Sequence, residues 1–223
     1  MSASERLAEQ STEIFAALFD SGANGVILPI SDYLASLHRQ ERKIVCDTSR
    51  KRQLEFSTGR YCAKTALADF GIEDFPILRN EHREPLWPNG FVGSISHCRD
   101  ICGAVIAKNS DFRSIGFDIE NIKPLRQDIT RHICTNQELT WLAQTTAYPY
   151  DTLVILLFSL KESVFKCVFP QHKIQLGFKD VTITPDFDLA TAAIHFHHAQ
   201  ITPDIRLALH VTATHIFTSA CSL

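Results

Sequence analysis

The chain has 223 residues, 45% hydrophobic and 21% charged, which suits a globular protein with interior enough for one large domain or two small ones. A net charge of −3 and a pI near 6.3 argue against bulk nucleic-acid binding and polybasic membrane attachment, while leaving room for a local basic patch. Seven scattered cysteines without a C-x-x-C pair suggest neither a disulfide framework nor a zinc ribbon, and read as reduced thiols in the cytoplasm.

In chain order, "MSASERLAEQ" is a polar, acid-bearing lead-in, unlike a secretory leader. Helical signals run from about Asp32 to Phe70. They are clearest in "RKRQLEFSTGRYCAKTALADFG", where Leu54, Phe56, Tyr61, Ala63, Ala66, Leu67 and Phe70 give the apolar positions and Gly71 a stop. The turn-rich "REPLWPNGF" leads to a hairpin of "FVGSISHC" and "CGAVIAK", joined around Arg99-Asp100. A strand at 114–120, a mixed segment with "TNQELTWLAQ", and a long helix from about Thr152 to Phe169 follow. The strands "DVTITP", "TAAIHFHH" and "RLALHVTATHIF" close the chain. Helices followed by antiparallel strands, twice over, predict an α+β fold with a seam near "AKNSDFRS". The expected halves are residues 1–110 and 111–223. The longest apolar run, "LVILLFSL" at 153–160, is too short to span a bilayer.

Four stretches carry groups that could do chemistry. In "SIGFDIENI", Ile115, Phe117 and Ile119 alternate with Gly116, Asp118 and Glu120, so the two acids share one strand face roughly 6–7 Å apart. They repel unless solvated or sharing a cation; a solvent-facing sheet edge is the simpler alternative. In "FSLKESVFKCVF", Glu162 and Lys166 are helical neighbours with Ser159 on the same side. Leu153, Leu156, Leu157, Leu160, Val164 and Val168 form the buried stripe. A plain surface Glu–Lys pair explains this stretch equally. "GSISHC" brings small residues and His97 to a strand end, and Arg52 and Arg60 lie about two turns apart on the basic helix, with Arg83 before "EPLWP". "HFHH" puts His195 and His197 on one face with no acidic or cysteine partner beside them, and His198 next to them, so an ordinary strand is the better reading than a zinc site.

Taken together, three carboxylates, a lysine and a set of Arg/His donors form a kit for metal-assisted phosphoryl or phosphodiester transfer. The order "RQLEFSTGR", "REPLWP", "GSISHC", "IGFDIE", "FSLKESVFK", spanning residues 52–166, resembles the 4′-phosphopantetheinyl transferases of the surfactin-synthetase and enterobactin-synthetase type. "EFSTGR" and the R-x-P-x-W-P form look most like the enterobactin subtype.

The resemblance implies two pseudo-symmetric α+β halves, each a small antiparallel sheet packed with helices, with the active site in the cleft between them. It implies transfer of 4′-phosphopantetheine from coenzyme A to a serine of an apo acyl or peptidyl carrier protein, for fatty-acid, polyketide or siderophore and non-ribosomal peptide synthesis. By position, Asp118, Glu120 and Glu162 match the acids that bind Mg²⁺, or Mn²⁺. Glu162 also matches the proposed general base, and Lys166 the lysine that neutralises or protonates the leaving phosphate. Ser96 and His97 match the pyrophosphate contacts, and Arg52, Arg60 and Arg83 the grip on the coenzyme A phosphates. The surfactin branch often carries Gly-Lys-Pro where this chain has Arg83-Glu84-Pro85, which leaves that grip to Arg83. Phe158 replaces the commoner tryptophan. A cytoplasmic monomer is expected, with Trp141 and Leu142 in the 122–150 segment as candidates for carrier docking. The rival readings are a metal-dependent phosphohydrolase and a non-catalytic carrier-protein binder.

Overall fold

The polar lead-in of the sequence folds as a helix, Ala3–Leu18 (α1). Ile14, Phe15 and Leu18 supply its buried face. The computed structural model describes residues 3–19, 21–125, 129–197 and 204–223. It divides into two compact units, Met1–Phe112 and Arg113–Leu223.

In the first unit α1 packs on strand β1, Ala23–Pro29. Gly25 makes this possible: a Cβ there would sit 2.3 Å from the Phe15 ring. A short helix α2, Arg39–Val45, precedes α3, Arg50–Ala68, which Ser49 caps by accepting from the Arg52 amide. Strands β2, Phe91–His97, and β3, Ile101–Lys108, form the expected hairpin. β1 joins on the far side of β3, giving an antiparallel sheet in the order β1-β3-β2. Cys62, Ala63, Ala66 and Leu67 of α3 pack with Ile77, Ala104 and Ile106 into its core. Helix α1 and strand β1 are the elements the sequence reading left out.

The second unit opens with β4, Ser114–Asn121, followed by α4, Thr130–Ile133, and α5, Asn136–Gln144. Helix α6, Tyr150–His172, extends past the expected bounds at both ends. It stops at Lys173, whose φ of 53° ends the helix in the left-handed region. Strands β5, Val181–Asp186; β6, Thr191–Phe196; β7, Arg206–Val211; and β8, His215–Ser222, complete an antiparallel sheet ordered β4-β8-β7-β6-β5. The run "RLALHVTATHIF" is therefore two strands. Thr212 breaks it, its Oγ1 accepting from the Thr214 and His215 amides in a tight turn.

α6 lies across β4 and β8, and the stripe Leu153, Leu156, Leu157, Leu160, Val164 and Val168 is buried as expected. Gly116 sets how close the helix comes: a Cβ there would lie 1.8 Å from the Ser163 carbonyl oxygen. Trp141 is half-buried and tilted against Phe187, whereas Leu142 is 3% exposed in the core and offers no docking surface. His195 and His197 are exposed side by side, the latter bonded to Thr182 at 2.8 Å; His198 lies outside the described residues. No helix among the described residues is long and apolar enough to cross a membrane.

Candidate active site

Strand β4 places its acids against a helix and not in solvent. Gly116, Asp118 and Glu120 occupy the face that meets α6, while Phe117 on the other face is fully buried. Asp118 is 4% exposed. Its Oδ2 accepts from Ser159 Oγ at 2.9 Å and its Oδ1 from Lys166 Nζ at 2.7 Å. Lys166 therefore reaches across to β4, where it also donates to the Phe117 carbonyl at 3.1 Å. Thr218 of β8 lies 2.9 Å from Ser159 Oγ and 2.7 Å from Ser163 Oγ, so a hydroxyl relay fixes the rear of the aspartate. Helical spacing puts Ser159 on the side of Glu162, whereas nothing local in the sequence marks Thr218.

Burial, reinforced by the neighbouring Asp118, pushes the Glu120 carboxyl up to about 7; Lys123 and Lys166 pull against that rise. Glu162 is pushed in the same direction by burial, with Lys166 opposing and Asp118 adding. Three acids and one ammonium thus form a single electrostatic unit that, fully ionised, is two positive charges short. Hard carboxylate oxygens short of positive charge fit a divalent cation of the Mg²⁺ or Mn²⁺ kind. Among the described residues the oxygens of the three acids do not all lie within 4.8 Å of one another.

The first unit holds the predicted anion-binding groups. Arg52, on the first turn of α3, brings Nη1 within 3.4 Å of His97 Nε2 at the end of β2. Ser96 is buried beside it, its carbonyl accepting from the Cys102 thiol at 3.2 Å. Arg83 is exposed in the turn Asn80–Glu84 at a φ of 68°, a left-handed conformation that a side chain adopts at a cost. Its amide donates to Asn80 O, and Asn80 Oδ1 accepts from the His82 and Glu84 amides.

Arg60 stands apart from Arg52. It is 6% exposed, stacked 4.5 Å over the Phe56 ring, and donates to the Ile77 and Leu78 carbonyls at 2.7 and 3.4 Å. Burial lowers its guanidinium to about 10, with the Glu41 charge opposing. Its guanidinium thus ties α3 to the backbone just ahead of the Arg83 turn.

Residues 40–107 match the model for the 4′-phosphopantetheinyl transferase N-terminal domain, and residues 114–218 that for the 4′-phosphopantetheinyl transferase superfamily. The chain is 36% identical over 161 residues to 4′-phosphopantetheinyl transferase Svp of Streptomyces mobaraensis, covering 72% of this chain and 65% of that protein. It is 33% identical over 155 residues to 4′-phosphopantetheinyl transferase Npt of Nocardia iowensis, covering 70% and 69%. With enterobactin synthase component D of Escherichia coli it shares 35% over 136 residues, 60% of this chain and 62% of the other. The match thus spans just under two thirds of Svp's own length.

Proposed function

The chain belongs to the 4′-phosphopantetheinyl transferase superfamily, and on that footing we propose that it transfers 4′-phosphopantetheine from coenzyme A to a serine hydroxyl of an apo carrier protein. The observation that carries this reading is the Asp118–Lys166 pair, 2.7 Å apart beside two carboxyls whose affinity for protons is raised. One lysine among three acids suits a reaction in which a highly charged diphosphate is attacked and divided.

In this reading Glu162 accepts the serine proton, directly or through water, as Oγ forms its bond to the phosphorus bearing pantetheine. The bond from that phosphorus to the bridging oxygen breaks, and adenosine 3′,5′-bisphosphate leaves with the electron pair. Lys166 neutralises or protonates that departing phosphate. Its contact with Asp118 holds it at the β4 end of the site. Asp118, Glu120 and Glu162 would hold Mg²⁺ or Mn²⁺, which when bound would spread the diphosphate charge.

Arg52, Ser96, His97 and Arg83 hold the phosphates of coenzyme A, and Arg60 serves that grip by bracing the Ile77–Leu78 backbone. The carriers belong to fatty-acid, polyketide, siderophore or non-ribosomal peptide synthesis, and the enzyme works in the cytoplasm as a monomer.

The test is the intact mass of an apo carrier after incubation with the chain, coenzyme A and Mg²⁺. A gain of one phosphopantetheine group, lost with EDTA or in Glu162→Gln, is expected. Release of adenosine bisphosphate with no gain on the carrier would make water the acceptor and the protein a hydrolase.

A further inference from the structure

Glu55 is an acid in the middle of the anion-binding surface. It lies on α3, one turn after Arg52, and is 8% exposed. Its Oε2 is 3.7 Å from Arg52 Nη1 and 3.8 Å from His97 Nε2, while those two nitrogens are 3.4 Å apart. The three atoms form a nearly equilateral triangle. Its Oε1 faces Lys51 Nζ at 3.6 Å. An ordinary i,i+4 pair with Lys51 would leave the carboxylate in water, whereas here the lysine is exposed and the acid is not. Burying a carboxylate this far is costly without a compensating role.

A guanidinium and an imidazole brought to 3.4 Å repel once both carry charge. A carboxylate equidistant from the two removes that repulsion and fixes each donor. The donors come from different elements, α3 and β2, so neither backbone alone sets their spacing. Resting on the function proposed above, we propose that Glu55 is a positioning residue that holds Arg52 and His97 together as a paired donor for the phosphates of coenzyme A.

The idea makes a claim opposite to simple charge counting. Removing a negative charge beside a phosphate site should tighten anion binding if charge is all that matters. Removing a positioning residue should weaken it.

Coenzyme A and, separately, adenosine 3′,5′-bisphosphate are titrated calorimetrically into the full chain and its Glu55→Gln and Glu55→Asp variants. Steady-state transfer to an apo carrier is measured alongside, with thermal melts of each variant. Glu55→Gln is expected to raise Kd and KM for coenzyme A about tenfold and leave kcat within about twofold, while Glu55→Asp recovers most of the loss. Equal or tighter binding by Glu55→Gln overturns the proposal. So does a fall in melting temperature and kcat at unchanged KM, the mark of a residue that only supports the fold. Wild-type chain that binds no coenzyme A overturns the functional reading and this inference with it. A competent wild type with an indifferent Glu55→Gln overturns the inference alone.

Discussion

Lys161 and Glu138 meet 2.7 Å apart with both side chains wholly out of solvent. Lys161 Nζ also donates to the Ile133 and Phe178 carbonyls, and Glu138 accepts from the Thr135 and Ile183 amides. The first unit repeats the device: Glu41 meets Lys64 at 2.7 Å and accepts from the His38 and Ile77 amides. Each glutamate is the third residue of a short helix and closes its capping box, and each lysine follows 23 residues later on the long helix. The two units therefore share an internal brace as well as a class of fold.

Breaking a buried pair by removing one partner leaves the other charge stranded, at a cost of about 3–5 kcal/mol. Lys161→Met should lower the stability of the second unit by that order. Lys64 is partly exposed where Lys161 is not, so its pair with Glu41 lies nearer solvent and Lys64→Met should cost the first unit less. Trp87 and Trp141 report one unit each, and urea unfolding followed in single-tryptophan variants separates the two transitions. Equal losses in both units would contradict the solvent argument.

The chemistry was more legible in the sequence than the packing around it. Alternation in "IGFDIE" put Asp118 and Glu120 on one face, and helical spacing put Ser159 beside Glu162, because both inferences need only a backbone period. What a period cannot reveal is which element covers the face. The acids meet α6 because Gly116 admits the helix, and Lys166 consequently pairs with Asp118 instead of Glu162. Arg52 and Arg60 looked alike as exposed helical arginines, but only tertiary contacts separate a surface donor from one braced on Ile77 and Leu78. Glu55 had a local signal, its i,i+3 and i,i+4 spacing to Arg52 and Lys51. Lys161 had none, since nothing local distinguishes a lysine that will be buried.

Gly116 is the position where the smallest change should do the most damage. A methyl group there would overlap the Ser163 carbonyl at 1.8 Å and the Cys167 amide at 2.8 Å, both backbone. Backbone cannot rotate aside, so β4 and α6 must separate, at a cost of about 1–3 kcal/mol or more. Because Asp118 sits on one element and Glu162 and Lys166 on the other, Gly116→Ala should also lose most transfer activity in whatever fraction folds. Thermal melting and activity per folded molecule test the two effects separately. Normal activity in a folded variant would mean the acids tolerate displacement.

Glu120 makes the second unit sensitive to pH. Its carboxyl is raised to about 7 by burial and by Asp118, so the folded chain keeps a proton that the unfolded chain releases from about pH 4.5 upward. Its contribution to stability is therefore present at low pH and lost as pH rises to about 7. A cation must displace the same proton, so Mg²⁺ binding should weaken about tenfold per pH unit below about 7 and level off above. Melting curves with and without Mg²⁺ between pH 5.5 and 8.5 measure this, and Glu120→Gln should flatten the dependence to what Glu162 alone contributes. A cation-induced shift that ignores pH would remove Glu120 from the ligand set.

Arg52 and Arg60, eight residues apart on α3, should fail in different ways. Arg52 is half-exposed beside His97, and truncating it to alanine removes a phosphate donor while leaving the core untouched. Arg52→Ala should raise KM for coenzyme A with little change in melting temperature. Arg60 fills a buried site, stacked on Phe56 and bonded to two carbonyls that lose their donor on truncation. Arg60→Ala should destabilise the first unit by about 2–4 kcal/mol, from lost packing and stranded acceptors together. Arg60→Lys should recover little, because an ammonium cannot reproduce the planar stack or the fixed fork. Chemical denaturation read at Trp87, set beside coenzyme A titrations, distinguishes the two. Should Arg60→Lys fold normally and lose coenzyme A binding as Arg52→Ala does, Arg60 contacts the phosphates itself.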